Sequence, residues 1–170
     1  MNVRAASPGA PTASAGGFTL IELMVVVAVV AVLATLALPV IQAKLVRDQI
    51  VEAMKLAEIA KAPIALAWAT GHALPASNAV AGLPPAERIA GNLVDSVRVE
   101  DGAIQVTFGN RASAAIRGKT LSLRPAVVED APVVPVAWVC GNASVPVPMT
   151  VHGVNRTDIA NAMLPLNCRP

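Results

Sequence analysis

The stretch that decides the reading is Gly17-Phe18-Thr19-Leu20-Ile21-Glu22-Leu23 followed by MVVVAVVAVLATLALPVI, residues 24 to 41. From Leu23 to Ile41 there are nineteen residues without a charge, and with Phe18 to Ile21 ahead of Glu22 the apolar length reaches that of a bilayer-spanning helix. It is the one transmembrane candidate in the sequence. Glu22 interrupts it, and a carboxylate among lipid tails costs roughly 2.5–3.5 kcal/mol on insertion scales, so it wants a partner. Thr19 and Glu22 also have the spacing of a capping box, in which each side chain satisfies a free backbone donor at a helix start. The two roles can coexist.

Toward the amino terminus, residues 1 to 17 (MNVRAASPGAPTASAGG) are rich in Ala, Ser, Gly and Pro and carry no apolar core, so they read as a disordered leader. A secretory signal peptide places its apolar region before the small-residue cleavage site. Here Gly16 and Gly17 come first, so cleavage leaves the anchor on the product.

Toward the carboxyl terminus, Pro39 falls inside the apolar run, where it removes a backbone donor and crowds the carbonyl four residues earlier; a bend is expected, not a stop. Polarity changes at Gln42. Lys44, Arg47, Asp48, Glu52, Lys55, Glu58 and Lys61 then alternate with Leu45, Val46, Ile50, Val51, Met54, Leu56 and Ile59, which is amphipathic helix spacing. Glu58 and Lys61, three apart, pair on the solvated side. The helix is expected to continue to Trp68 and end near Gly71; one helix over residues 18 to 70 spans about 80 Å.

A Pro/Ala/Gly-rich connection, Leu74 to Pro85, leads to strand-like alternation at Val94–Glu100, Ala103–Phe108 and Lys119–Arg124, with Asp101-Gly102 as a hairpin turn. A further apolar segment, Val133–Cys140, is bounded by Pro132 and interrupted by Pro135, which favours an edge or irregular strand. The proline-rich tail beyond residue 145 reads as mostly loop. The organisation is therefore a leader (1–17), an apolar helix (18–41), its amphipathic continuation (42–71) and one head (72–170), within the size of a single core.

Net charge is +2 over the chain, and from residue 72 onward basic and acidic side chains nearly balance, so charge names no partner. With no Tyr, two Phe and two Trp, the chain lacks the stacking platforms of single-strand nucleic-acid binders. His72 and His152 do not form a ligand-spaced set with the cysteines, so no metal is expected. There is no phosphate-binding glycine loop, no serine elbow and no paired acid arrangement; no catalytic residue and no cofactor is assigned, and the chain reads as a non-enzyme. Asn142-Ala143-Ser144 and Asn155-Arg156-Thr157 match the N-glycosylation pattern, one that is frequent by chance.

The run from Gly17 to Leu23 with the apolar helix behind it closely resembles the processing and assembly signature of type IV pilins. The resemblance extends to Val106–Asn110, Ala114–Pro125, Ala137–Gly141 and Leu164–Arg169, and so covers nearly the whole chain after the leader. It implies an α+β fold: a long bent N-terminal helix packed on an antiparallel sheet of about four strands, with a C-terminal loop closed by a disulfide between Cys140 and Cys168. Such a bond suits an oxidising compartment. Trp138 is expected in the core against it, and Trp68 between helix and sheet.

The resemblance further implies that a prepilin peptidase cuts between Gly17 and Phe18 and methylates the new amino terminus of Phe18. Glu22 then meets a neighbouring subunit's terminal amine. The partners are other pilin subunits, the peptidase, the assembly machinery of the inner membrane, and the membrane itself before assembly; the product is a surface filament serving adhesion, motility or DNA uptake. Two features depart from the family pattern. The leader is long with Arg4 as its one basic residue, and Lys44 and Arg47 lie on the translocated side, so orientation rests on the resemblance rather than on charge. Two rival readings remain: a minor pilin that binds DNA through Arg111, Arg117, Lys119 and Arg124, and a secretion pseudopilin. Scattered solvation of a nearly neutral head is favoured over DNA contact, and the C-terminal disulfide loop points away from the pseudopilin.

Overall fold

The computed structural model describes residues 17–170, with the side chains of residues 37–40 outside the description. Residues 1–16 of the leader, including Arg4 and Gly16, lie outside the described residues. The chain divides at Pro39–Val40 into two compact units. Helix α1, Leu20–Ala69, contributes to both. The bend expected at Pro39 falls among the residues whose side chains are not described.

Thr19 starts α1. Its hydroxyl accepts the Glu22 N–H at 3.3 Å and its carbonyl the Leu23 N–H at 3.2 Å, so it serves as the N-cap. The helix stops as expected near Gly71: His72 N–H donates to Ala67 O and Gly71 N–H to Trp68 O, with Gly71 at φ 71°, the paired bonds of a Schellman turn. Pro63 lies within the helix without ending it.

In the second unit, Val46, Ile50, Ala53, Ala57, Ala60 and Ile64 are buried at alternating steps of three and four, one stripe of the helix. Burying each of the larger aliphatic side chains contributes about 1.5–3 kcal/mol. The three alanines along the stripe let the helix backbone lie close to the sheet. On the flank of this stripe Lys61, its side chain 20% exposed, pairs with the more exposed Glu58 at 2.6 Å.

The sheet is antiparallel in the order β1 (Val94–Glu100), β2 (Ala103–Phe108), β3 (Thr120–Val127), β4 (Ala137–Cys140), with β5 (Thr150–Val151) paired to β3. Asp101 and Gly102, at φ 47° and 80°, make the two-residue turn between β1 and β2. Val97, Val99, Ile104, Val106, Phe108, Leu121 and Leu123 face the helix and are buried. Ser96, Arg98, Glu100, Gln105, Thr107, Thr120 and Ser122 occupy the alternate positions on the outward face.

Two strand limits differ from expectation. β3 continues through Pro125 to Val127, because its last residues pair with β4 and β5 at Ala126 and the Pro125 carbonyl accepts the His152 N–H at 2.9 Å. β4 begins only at Ala137, beyond both Pro132 and Pro135. The tail is mostly loop, as expected, with the two-residue β5 and short 3-10 turns, and it forms a strap over the sheet. Since Ala126 pairs with β4 on one side and β5 on the other, and Asp158 bonds both N–H and C=O of Thr120 away from β2, residues 152–158 cross the outward face of β3. Gly153 lies on Ala103, where a Cβ would sit 2.5 Å from the alanine's own. Beneath the strap a buried relay runs from Val154 O to Gln105 Nε2, from Gln105 Oε1 to the Ser122 hydroxyl, and on to the Arg156 N–H.

β1 would be a free edge. Asn78 covers it: its Nδ2 donates to Val97 O at 3.0 Å and its Oδ1 accepts the Val99 N–H at 2.6 Å, while Ser77 bridges Glu100.

Candidate assembly site

Among the described residues, the first unit has no core of its own. From Phe18 to Leu36 the large apolar side chains are exposed on every face of the helix, with Phe18 86% exposed and Val26, the most shielded of them, still 52%. Such a surface is stable only against lipid or against other helices. The Thr35 hydroxyl, inside the run, donates to Val32 O at 2.7 Å, so it does not present an unsatisfied donor to an apolar environment.

At the start of this helix Gly17 has open space around it: an added Cβ meets nothing within 4 Å, and its φ is not among the positive ones. The fold places no demand for glycine there. Glu22 occupies the first turn, where the unpaired N–H groups favour a negative charge. Its own backbone N–H is taken by Thr19, and no carboxylate partner is present among the described residues.

In the head, Cys140 and Cys168 are bonded across 28 residues. Asn142 N–H donates to Cys168 O at 2.9 Å, and Asn142, Asn155 and Asn161 join their side chains beside the bond. The amide nitrogens of both asparagines in the N-x-Ser/Thr patterns are thus used within the loop. Trp138 lies on the helix-facing side of β4 two residues before Cys140, half-buried against the core with the Lys61 ammonium 5.6 Å from its ring centre. Trp68 is half-buried, its ring 6.1 Å from that of His152.

The four basic residues considered for DNA make contacts within the head. Arg111 is exposed in the turn after β2; Arg117 Nη2 donates to Ala112 O and Lys119 Nζ to Asp158 O. Arg124, on β3, donates to Gly141 O at 3.3 Å. His72 bonds Thr70, and His152 pairs with Glu129 at 3.0 Å.

The residues that fasten the head, Asn78, Gln105, Ser122 and Arg156, were not singled out in the sequence. The alternation marks Gln105 and Ser122 as outward-facing, but no local signal says that a segment 49 and 34 residues later will cover them.

A naked apolar helix that begins at a capped acidic turn, together with a sheet head locked by a C-terminal disulfide, defines a subunit that moves from a membrane into a helical polymer. Residues 46–169 match the family described as pilin (bacterial filament), and residues 13–38 match the prokaryotic N-terminal methylation motif. The chain is 35% identical over 147 residues to the type IV major pilin protein PilE of Neisseria gonorrhoeae, covering 86% of this chain and 83% of the relative. It is 36% identical over 160 residues to PilE1 of the same organism, covering 90% and 86%. With a fimbrial protein of Neisseria meningitidis serogroup A it shares 39% identity over 126 residues, 74% of this chain and 72% of the relative. The chain belongs to the pilin family and is a structural subunit of a type IV pilus. As such it is anchored in a membrane by its apolar helix and polymerises with other pilin subunits into an extracellular filament.

Proposed function

We propose that a prepilin peptidase cuts this chain between Gly17 and Phe18 and methylates the amino terminus of Phe18, and that the product waits in the inner membrane before the assembly machinery draws it into the pilus. There its apolar helix exchanges lipid for the helices of its neighbours. Glu22 receives the terminal amine of a neighbouring subunit, so that a misplaced subunit leaves a charge unpaired in an apolar bundle and is rejected.

The observation that carries this reading is the exposure of every large apolar side chain from Phe18 to Leu36. The open space at Gly17 adds to it: a glycine the fold does not need suits a protease that must close over an unbranched backbone. Catalysis belongs to the peptidase, and the chain itself acts as scaffold. Mass spectrometry of the mature amino terminus is the test. A first residue of methylated Phe18 is the expected result; an unmodified terminus at any other residue overturns the processing scheme.

A further inference from the structure

On the outward face of the sheet, at the border of the strap, lies a recess of about 280 Å³ lined by Arg98, Glu100, Gln105, Thr107, Thr120 and Arg156. Strand register builds its floor. Thr107 and Thr120 stand directly opposite each other on β2 and β3, with Gln105 next along β2. Both threonine hydroxyls are without a hydrogen-bond partner among the described residues, whereas Gln105 is spent on Val154 and Ser122.

The walls are charged. Arg156 comes from the strap and is held by Glu100 through Nε and Nη2, which fixes the guanidinium plane and leaves Nη1 uncommitted. Both Glu100 oxygens are occupied by that same contact, so the carboxylate is largely neutralised. Arg98, from β1, has a loose partner in Glu87 at 3.8 Å and is 63% exposed. Two guanidiniums and one carboxylate already bound to Arg156 line the recess, with Glu87 3.8 Å from Arg98 and the Asp158 carboxylate accepting the Thr120 N–H.

We propose that this recess binds a tetrahedral oxyanion, a phosphate or sulfate group. Two hydroxyl donors rise from the floor and guanidinium donors approach from two walls, so the donors do not share a plane. A tetrahedral group can accept from all of them at once, while a planar carboxylate meets at most two of the directions. Arg156 needs no ordering on binding, because Glu100 has already fixed it. All six lining residues come from the sheet and the strap.

The test is a titration of the isotope-labelled full chain in detergent micelles, followed by amide NMR, with ionic strength held constant by chloride. Inorganic phosphate, a sugar phosphate monoester, a sulfated monosaccharide and acetate are compared. Saturable shifts at Arg98, Thr107, Thr120 and Arg156 with the tetrahedral anions, and much weaker ones with acetate, are expected. A tighter monoester than inorganic phosphate identifies the group as one carried on a larger molecule; equal affinities identify the free ion. Thr107→Val and Arg98→Gln each weaken binding about tenfold, while Arg111→Gln, outside the recess, leaves it unchanged. Non-saturating shifts spread over all exposed basic residues, acetate binding as well as phosphate, or indifference to Thr107→Val with the fold intact, each overturns the proposal.

Discussion

Arg156 grips Glu100 by two hydrogen bonds, Nε to Oε2 and Nη2 to Oε1, both 2.6 Å long, and so ties the C-terminal strap to the end of β1 across 56 residues of sequence. The hydrogen bond from Arg156 is the main cause holding the Glu100 carboxyl below its ordinary value; partial burial opposes it, and the charges of Arg156 and Arg98 assist. A carboxyl with a lowered folded pKa binds protons less readily in the folded state than in the unfolded one. Its contribution is therefore complete above the unfolded value, about 4.3, and is lost as pH falls through the lower folded value. The head of Glu100→Gln is expected to melt below wild type at pH 7, with the gap closing below about pH 4. A gap independent of pH refutes the assignment. Because both groups are substantially exposed, the effect is modest.

The Asn78 side chain finishes the β1 edge at Val97 and Val99. At 8% exposure it makes three bonds, to Pro84 O, Val97 O and the Val99 N–H. Asn78→Ala leaves a buried strand N–H and C=O without partners, and about 2–3 kcal/mol of stability should be lost in a chemical denaturation experiment. Asn78→Asp keeps the acceptor for Val99 but loses both donors, and is expected to fall between. Wild-type stability for the alanine variant would show that water serves the edge equally well.

How far the sequence discloses all this depends on the range of each interaction. The hairpin is local: Asp101-Gly102 fixes the turn, the alternation on either side fixes the faces, and both strands fall at the residues expected, Val94–Glu100 and Ala103–Phe108. The apolar helix is equally plain, since an unbroken run needs no partner to be recognised. β3 is the intermediate case. The alternation marks Lys119–Arg124 only, yet the strand continues through Pro125, which has no N–H to give, since the pairing at Ala126 comes from β4 and β5. Asn78 and the strap are invisible for the opposite reason. Their bonds join residues 19 to 56 apart through side chains that would be equally at home in solvent, and no periodicity marks them. At the assembly site, the residue types at 17, 18 and 22 were legible through resemblance; the absence of any steric need for Gly17 required coordinates.

The disulfide and the strap fasten different parts of the tail. Cys140–Cys168 closes a 28-residue span, which in the loop-entropy account is worth roughly 3–4 kcal/mol. The strap is held by Gln105, Ser122, Thr120 and Glu100, and reaches the disulfide side through one side chain, Asn155, which donates to Gly141 O and Asn142 Oδ1. Replacing both cysteines by serine should therefore lower stability by about that amount. Amide exchange should accelerate at Asn142 and Cys168, while the Arg156 and Asp158 amides remain protected. Equal loss of protection at all four would mean that the strap depends on the covalent link.

Glu22 provides the sharpest test of the assembly scheme, because charge and shape can be varied separately. Thr19 already satisfies the Glu22 backbone N–H, so the helix start survives a change of the side chain at 22. Glu22→Val removes the carboxylate from a helix that is otherwise apolar and should favour membrane insertion, with cleavage after Gly17 retained. Glu22→Gln keeps the length and a hydrogen-bonding head but cannot ionise. If the partner is a neighbour's terminal ammonium, leaving that charge unpaired costs about 3–5 kcal/mol per contact, and both variants should accumulate in the membrane while sheared filaments fall to a small fraction of wild type. Filament yield from Glu22→Gln equal to wild type would leave hydrogen bonding rather than charge as the determinant; equal yield from Glu22→Val would remove Glu22 from the mechanism altogether.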